Sequence, residues 1–301
     1  MRIFRSLGEV PKGFGPSAVT IGKFDGVHLG HQHMIRELLE ESRRRQITPV
    51  ALTFDRNPLS ILAPAKCPPS LISNEQKFEL LQSFGIEATF VLKFDHEQSL
   101  QSAEAFVQEI VFDGLGSKVV YAGADFRYGH GGRGDVRLLD EMGRELGFEV
   151  KHVPEIESDG RRISSTWIRQ ALLDGDIELA NRLLGRSHEL RANATPLHLD
   201  LVQTAGFQLE EPIEGLVPAP GVYLTELCRS NSDEKTIAFV SRADADSEQV
   251  EVLTLVRDSG TAATQAELRE LRLRFLNQLD SSNQDASTGR VRLEGYLTQI
   301  R

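Results

Sequence analysis

Cysteine is scarce. Only Cys67 and Cys228 occur, far apart and with no CxxC pair. That excludes a disulfide-stapled scaffold and a cysteine-based zinc site, and fits a reducing cytoplasm. Long hydrophobic runs are missing as well. No stretch of about 18 apolar residues exists, so a spanning helix is not expected. The first residues, MRIFRSLGEVPKGFG, lack the apolar core of a secretory signal. Basic excess is absent too: net charge is −10 and the pI is near 5.4. A broad nucleic-acid surface is therefore not expected, whereas a few local cations would suffice for a small anionic ligand. No internal repeat and no long low-complexity tract is found. What is present is ordinary: 301 residues, 40% hydrophobic and 26% charged. This suits a globular chain of roughly two domains.

The first part reads as alternating strands and helices. Residues 18–22 (AVTIG), 48–54 (TPVALTF), 88–94 (ATFVLKF), 118–123 (KVVYAG) and 149–153 are predicted strands. Between them, residues 32–45 place Met34, Ile35, Leu38 and Leu39 on one helical face. Further helices are expected after Ser73 and over residues 102–112 and 138–146. This alternation predicts an α/β fold with a Rossmann-like parallel sheet. Such sheets bind ligands beyond the carboxyl ends of their strands. Two helices, residues 165–173 and one capped by Asp176 and stopped by Gly185, close this first domain, residues 1–186. Residues 187–301 form a second domain. Its short alternating runs at 197–202, 221–227, 236–241 and 249–256 suggest a smaller β-barrel-like unit. A helix with Leu268, Leu271, Phe275, Leu276 and Leu279 as its apolar face is expected over 266–279, a polar loop over 280–289 and a last strand over 291–300.

Three clusters carry chemistry. In GKFDGVHLGHQ (22–32), Gly22, Gly26 and Gly30 allow tight turns and close backbone approach. His28 and His31 share one face at the start of a helix, where free N–H groups and the dipole favour phosphate. In ISSTWIR (163–169), one hydroxyl is an expected N-cap. The others, with Arg169 one turn on, make a second anion cradle. In GADFRYG (123–129), just past a strand, Phe126 and Tyr128 could line a flat ring pocket and Asp125 could accept from ring N–H groups. TFDRNP (53–58) lies past another strand.

These segments, in this order and spacing, resemble the FMN adenylyltransferase module of bacterial bifunctional riboflavin kinase/FAD synthetases. SNEQKFELLQSFGIE (73–87) and GDIELANRLLGR (175–186) agree. The resemblance implies transfer of the ATP adenylyl group to FMN, giving FAD and pyrophosphate. It implies His28, His31 and Arg169 as the catalytic phosphate contacts, with Ser165 and Thr166 on the triphosphate. Gly22, Phe24 and Asp25 fall on the nucleotide side, and Asn57, Asp125 and Phe126 on the flavin side. It also implies Mg2+ as a triphosphate partner, held mainly by substrate oxygens and water.

The sequence departs from the family at Lys23, at Trp167 and at Arg56-Asn57, where Pro-His is common. The second domain departs more. The kinase signature GFPTAN reads GFQLEE (206–211), although PGVY (220–223) follows at the family spacing. Leu209 cannot ligate a metal, and two carboxylates repel a triphosphate. The expectation is therefore an adenylyltransferase whose kinase domain has lost its activity. A working bifunctional enzyme, a non-catalytic binding paralogue and an adenylyltransferase for another acceptor stay open. So does homo-oligomerisation.

Overall fold

In a computed structural model the chain forms two compact units. Residues 1–197, 204–228, 233–242, 250–257 and 268–280 are described. The first unit holds residues 1–70 and 74–163, and the second holds 71–73 and 164 onwards.

In chain order the first unit contains β1 (Arg2–Phe4), β2 (Ser17–Ile21), α1 (Leu29–Arg45), β3 (Thr48–Phe54), α2 (Leu59–Leu62), α3 (Asn74–Phe84) and β4 (Ala88–Leu92). There follow α4 (His96–Ser99), α5 (Ala103–Ala105), β5 (Ser117–Gly123), α6 (Val136–Leu146), β6 (Glu149–Val153) and a hairpin of β7 (Glu157–Ser158) and β8 (Arg161–Arg162). The helix expected over 102–112 is short α at its start and continues as a π-helix over Phe106–Gly114. Six strands pair in parallel in the order β1-β4-β3-β2-β5-β6. Every residue of β2 and β4 is buried, because helices cover both faces of such a sheet. One face buries Val19, Ile21, Val50, Leu52 and Val120 against Phe106, Ile110, Leu139 and Phe148. On α1, Met34, Ile35, Leu38 and Leu39 are all buried, as their helical spacing predicts. The strand order reverses at β2, which has β3 on one side and β5 on the other. A crevice beyond the carboxyl ends of β2 and β5 results from that reversal.

The second unit begins with α7 (Ser165–Leu173) and α8 (Ile177–Leu184), whose Asp176 cap and left-handed Gly185 stop match expectation. Strands β9 (His188–Ala192), β10 (Ala194–Leu197), β11 (Thr204–Leu209), β12 (Gly221–Cys228), β13 (Asp233–Arg242), β14 (Val250–Arg257) and β15 (Leu271–Asp280) come next. They form one antiparallel sheet in the order β10-β11-β14-β13-β12-β15-β9. Its two outer members, β9 and β10, are joined by Asn193 alone, so the sheet must curl until its edges approach each other. Tyr223, Thr225, Thr236, Ala238, Thr254, Leu273 and Phe275 are fully buried. The opposite face gathers Val222, Ile237, Phe239, Leu253 and Leu255.

One expectation is corrected here. Residues 271–280 are strand β15, not part of a helix. Leu271, Leu273 and Phe275 are buried while Arg272 and Arg274 are not, which is period-two alternation. The leucines also fit a period of 3.6, but pairing with both β12 and β9 decides for strand. The expected strand at 291–300 lies outside the described residues, as do nearly all of the 280–289 loop and of the 197–202 run.

Candidate functional site

Beyond β2 the chain makes a strained turn. Phe24 (φ 51°), Gly26 (φ 84°) and Val27 (φ 40°) all adopt left-handed backbone. For a β-branched residue such as Val27 this is an outlier that only a supporting structure can hold. Support is present: Phe24 and Val27 are fully buried, and the Val27 N–H donates to the Phe24 carbonyl (3.2 Å). Buried Gln32 donates its side-chain amide to the Val27 carbonyl (2.9 Å). Thr53 at the end of β3 donates to the Lys23 carbonyl (3.2 Å). Gly22 lies under the Phe24 ring, where an added Cβ would meet the ring at 3.3 Å.

His28 occupies the N-cap position of α1 without capping it through its side chain. Its ring instead folds over Gly30, where a Cβ would stand 3.2 Å from two ring atoms. That contact explains why position 30 is glycine. The His28 and His31 rings stack at 3.8 Å, and Phe24 backs His31 at 5.2 Å. Two protonated imidazoles at that spacing repel, and an anion across them removes the repulsion. Asp25 is half-buried in the same turn.

At the end of β3, Asp55 is a hub. Its Oδ1 accepts from the Phe94 N–H (2.8 Å) and its Oδ2 from Arg56 (3.0 Å). Asn57 Oδ1 accepts from the Leu59 N–H (3.2 Å) and so shapes the start of α2. Behind them Lys77, on α3, is only 7% exposed. Its Nζ donates to the Phe54 carbonyl (3.0 Å). Burial lowers its pKa to about 8, against the attraction of Asp25, Asp55 and Glu75.

Beyond β5, Phe126 stacks on buried Tyr128 at 5.1 Å. The exposed Asp125 is held by Arg162 at 2.7 Å, and Arg162 also reaches Glu155 at 2.8 Å. Arg162 is delivered by the β7–β8 hairpin, whose turn residues Asp159 (φ 52°) and Gly160 (φ 72°) are both left-handed, as a two-residue hairpin turn requires. Lys77 and Arg162 are the two site cations that the motif clusters pass over. The signal for Lys77 was a charge at a position flanked by buried Gln76, Phe78 and Leu81. For Arg162 it was an arginine directly before Ile-Ser-Ser-Thr.

Within the second unit, Ser164 is the N-cap of α7 and accepts from the Trp167 N–H (3.3 Å). One of the three consecutive hydroxyls is thus a cap. Ser165 and Arg169 are half-buried and Thr166 is exposed, while Trp167 and Ile168 are buried. The GFQLEE segment lies at the end of β11. Phe207 and Leu209 are buried, whereas Glu210 and Glu211 are exposed. Glu210 accepts from Thr195, and Glu211 from the Ile213 N–H (3.0 Å). Among the described residues, the one close trio of metal-ligand type is Glu226, Cys228 and Asp233. Arg274 sits on both of its carboxylates, at 3.4 and 3.1 Å, and so occupies the place of a cation.

Residues 11–167 match the family model described as FAD synthetase. The chain is 35% identical over 230 residues to the bifunctional riboflavin kinase/FMN adenylyltransferase of Escherichia coli (strain K12), covering 75% of this chain and 72% of that protein. It is 36% identical over 187 residues to the protein of the same name from Buchnera aphidicola subsp. Schizaphis graminum (strain Sg), covering 62% and 60%. In three dimensions it is similar to the crystal structure of a macrolide-efflux protein from Streptococcus pneumoniae, with a TM-score of 0.80 and 21% identity over 100% of this chain and 98% of that one. At that identity the likeness is one of fold. No described helix is long and apolar enough to cross a membrane. On the family model and the extent of identity, the chain belongs to the FAD synthetase family of nucleotidyltransferase enzymes.

Proposed function

We propose that this protein is an FMN adenylyltransferase that makes FAD and pyrophosphate from FMN and ATP, and that its second domain, residues 187–301, has lost riboflavin kinase activity. The observation that carries the reading is the stacked His28–His31 pair. It stands at the start of α1, on a strained turn, beyond the strand where the sheet order reverses.

The reaction needs no protein nucleophile. An oxygen of the FMN phosphate attacks the α-phosphorus of ATP, the bond from that phosphorus to the bridging oxygen breaks, and pyrophosphate leaves with the electron pair. Catalysis is in-line positioning plus stabilisation of phosphate charge. His28 and His31 donate to phosphate oxygens as charge develops. Ser165, Thr166 and Arg169 hold the triphosphate and then the pyrophosphate, Arg169 by its bidentate fork. Gly22, Phe24 and Asp25 serve the nucleotide side. Phe126 offers a face to the flavin ring. Asn57 and Asp125 address the flavin with the donors and lone pairs left over by their present partners, the Leu59 N–H and Arg162. Mg2+ would accompany the triphosphate, held mainly by substrate oxygens and water, and would neutralise charge on the departing pyrophosphate. Imidazoles suit this hard, oxygen-seeking cation poorly, and the acidic trio in the second unit already has Arg274. The scarcity of cysteine fits a cytoplasmic reaction.

Kinase loss is supported by Leu209, buried where the family signature has a metal-ligating hydroxyl. One observation favours a working bifunctional enzyme instead: identity to the Escherichia coli relative extends over 230 residues, beyond the length of the first domain. Incubation with Mg-ATP and either FMN or riboflavin, and then separation of the flavins, decides. FAD from FMN but not from riboflavin is expected. FAD from riboflavin overturns the kinase loss, and no FAD from FMN overturns the whole reading.

A further inference from the structure

Lys77 is a buried cation that the phosphate-binding motifs do not include. It projects from α3 to the carboxyl end of β3, where its Nζ donates to the Phe54 carbonyl (3.0 Å). Among the described residues this is its one hydrogen bond, although an ammonium carries three donors. The carboxylates of Asp25, Asp55 and Glu75 attract it. Asp55 is already engaged by Phe94 and Arg56. A lysine is almost never this buried unless it is paired; here the Phe54 carbonyl and the Phe78 ring, 5.7 Å away, are its contacts, and they leave donors for a further acceptor.

Its position says which acceptor. Lys77 feels the charge of Asp55, next to the segment that the proposed reading assigns to the flavin, and of Asp25, in the turn it assigns to the nucleotide. A flavin phosphate that attacks ATP has to stand where those two sides meet. It would also stand beside Asp25 and Asp55, and two carboxylates exclude a phosphate unless a cation intervenes.

We propose that Lys77 binds the phosphate of FMN and is a catalytic residue that holds the attacking oxygen in place. This rests on the FMN adenylyltransferase reading. Lys77 thereby distinguishes FMN from flavins that lack a phosphate.

The test uses the full chain and three ligands: FMN, ATP and lumiflavin, which carries the flavin ring without a phosphate. Wild-type FAD formation gives KM for FMN and for ATP and the inhibition constant of lumiflavin. Absence of FAD from the wild type would sink the underlying reading, an outcome distinct from any effect of a Lys77 substitution. Lys77→Gln keeps a donor for the Phe54 carbonyl but removes the charge. It is expected to raise KM for FMN about tenfold or more, the loss of one charge-assisted hydrogen bond. KM for ATP and the lumiflavin constant should stay within about threefold, a change under 1 kcal/mol. Lys77→Arg should recover most of the FMN affinity. If either variant is too slow to assay, quenching of FMN and lumiflavin fluorescence on binding gives the same comparison. An unchanged FMN affinity in Lys77→Gln overturns the proposal. So does a parallel loss of lumiflavin, which marks a structural role, and so does a loss confined to ATP.

Discussion

At Gly30 a single hydrogen in place of a methyl decides where His28 can lie. Because a Cβ would stand 3.2 Å from two atoms of that ring, Gly30→Ala must push the His28 ring by a few tenths of an ångström from its place against His31. The substitution favours the helix by propensity, so melting should hold steady while FAD formation falls about tenfold or more, the effect of one misplaced phosphate donor. A thermal melt beside a rate measurement checks both halves; an unchanged rate would show that the stacked geometry is dispensable. Lys77 carries a cost of the opposite kind. Its pKa falls from 10.5 to about 8 through burial, a penalty of about 3 kcal/mol at neutral pH. The folded pKa lies below the unfolded one. The penalty is therefore present in full below pH 8 and is relieved as pH rises toward 10.5, where the unfolded chain no longer holds the extra proton. Lys77→Met should raise stability at pH 7 by about 1–2 kcal/mol after the orphaned Phe54 carbonyl is counted. Urea midpoints at pH 7 and pH 10 should show that advantage shrinking. The histidines and glycines of this turn were legible as letters; the left-handed Val27 and the buried state of Lys77 were not, because both depend on what packs around them.

Among the elements, the parallel strands were the easiest to read. Runs such as TPVALTF bury both faces and are bounded by polar or glycine-bearing segments, and residues 48–54 are strand β3 with the expected limits. Strand β15 was the hardest. Its leucines fit two periods, and only a vacant slot between β12 and β9 separates them. The two readings predict different cores. In the strand, Leu273 is fully buried and Leu276 partly so, whereas the helical face contained Leu276 and left Leu273 out. Leu273→Ala should cost about 3 kcal/mol, and Leu276→Ala about 1 kcal/mol or less. Urea unfolding of the two variants gives the answer, and the reverse ranking would restore the helix.

For the whole molecule, the two units should respond differently to acid. In the second unit His188 is 1% exposed and bonds the Leu216 carbonyl at 2.7 Å. Burial lowers its pKa from 6.5 to about 4. With the folded pKa depressed, its neutral form favours folding fully above pH 6.5, and that stability is lost as pH falls toward 4. Between pH 7 and pH 5 the second unit should lose about 2 kcal/mol, and His188→Gln should flatten that slope when melts are recorded against pH. The chain by itself determined that there are two architectures, because β-α alternation gives way to short alternating strands, and it determined the phosphate chemistry, because histidines, hydroxyls and glycines cluster just past strands. Only the tertiary structure decided three things. The sheet order reverses at β2, since strand neighbours are set by crossover packing rather than by sequence distance. Residues 271–280 became a strand, since cross-strand pairing outweighed an ambiguous period. Lys77 came to lie buried beside the strand ends, since a lysine reads as a solvated helix face until the fold closes over it.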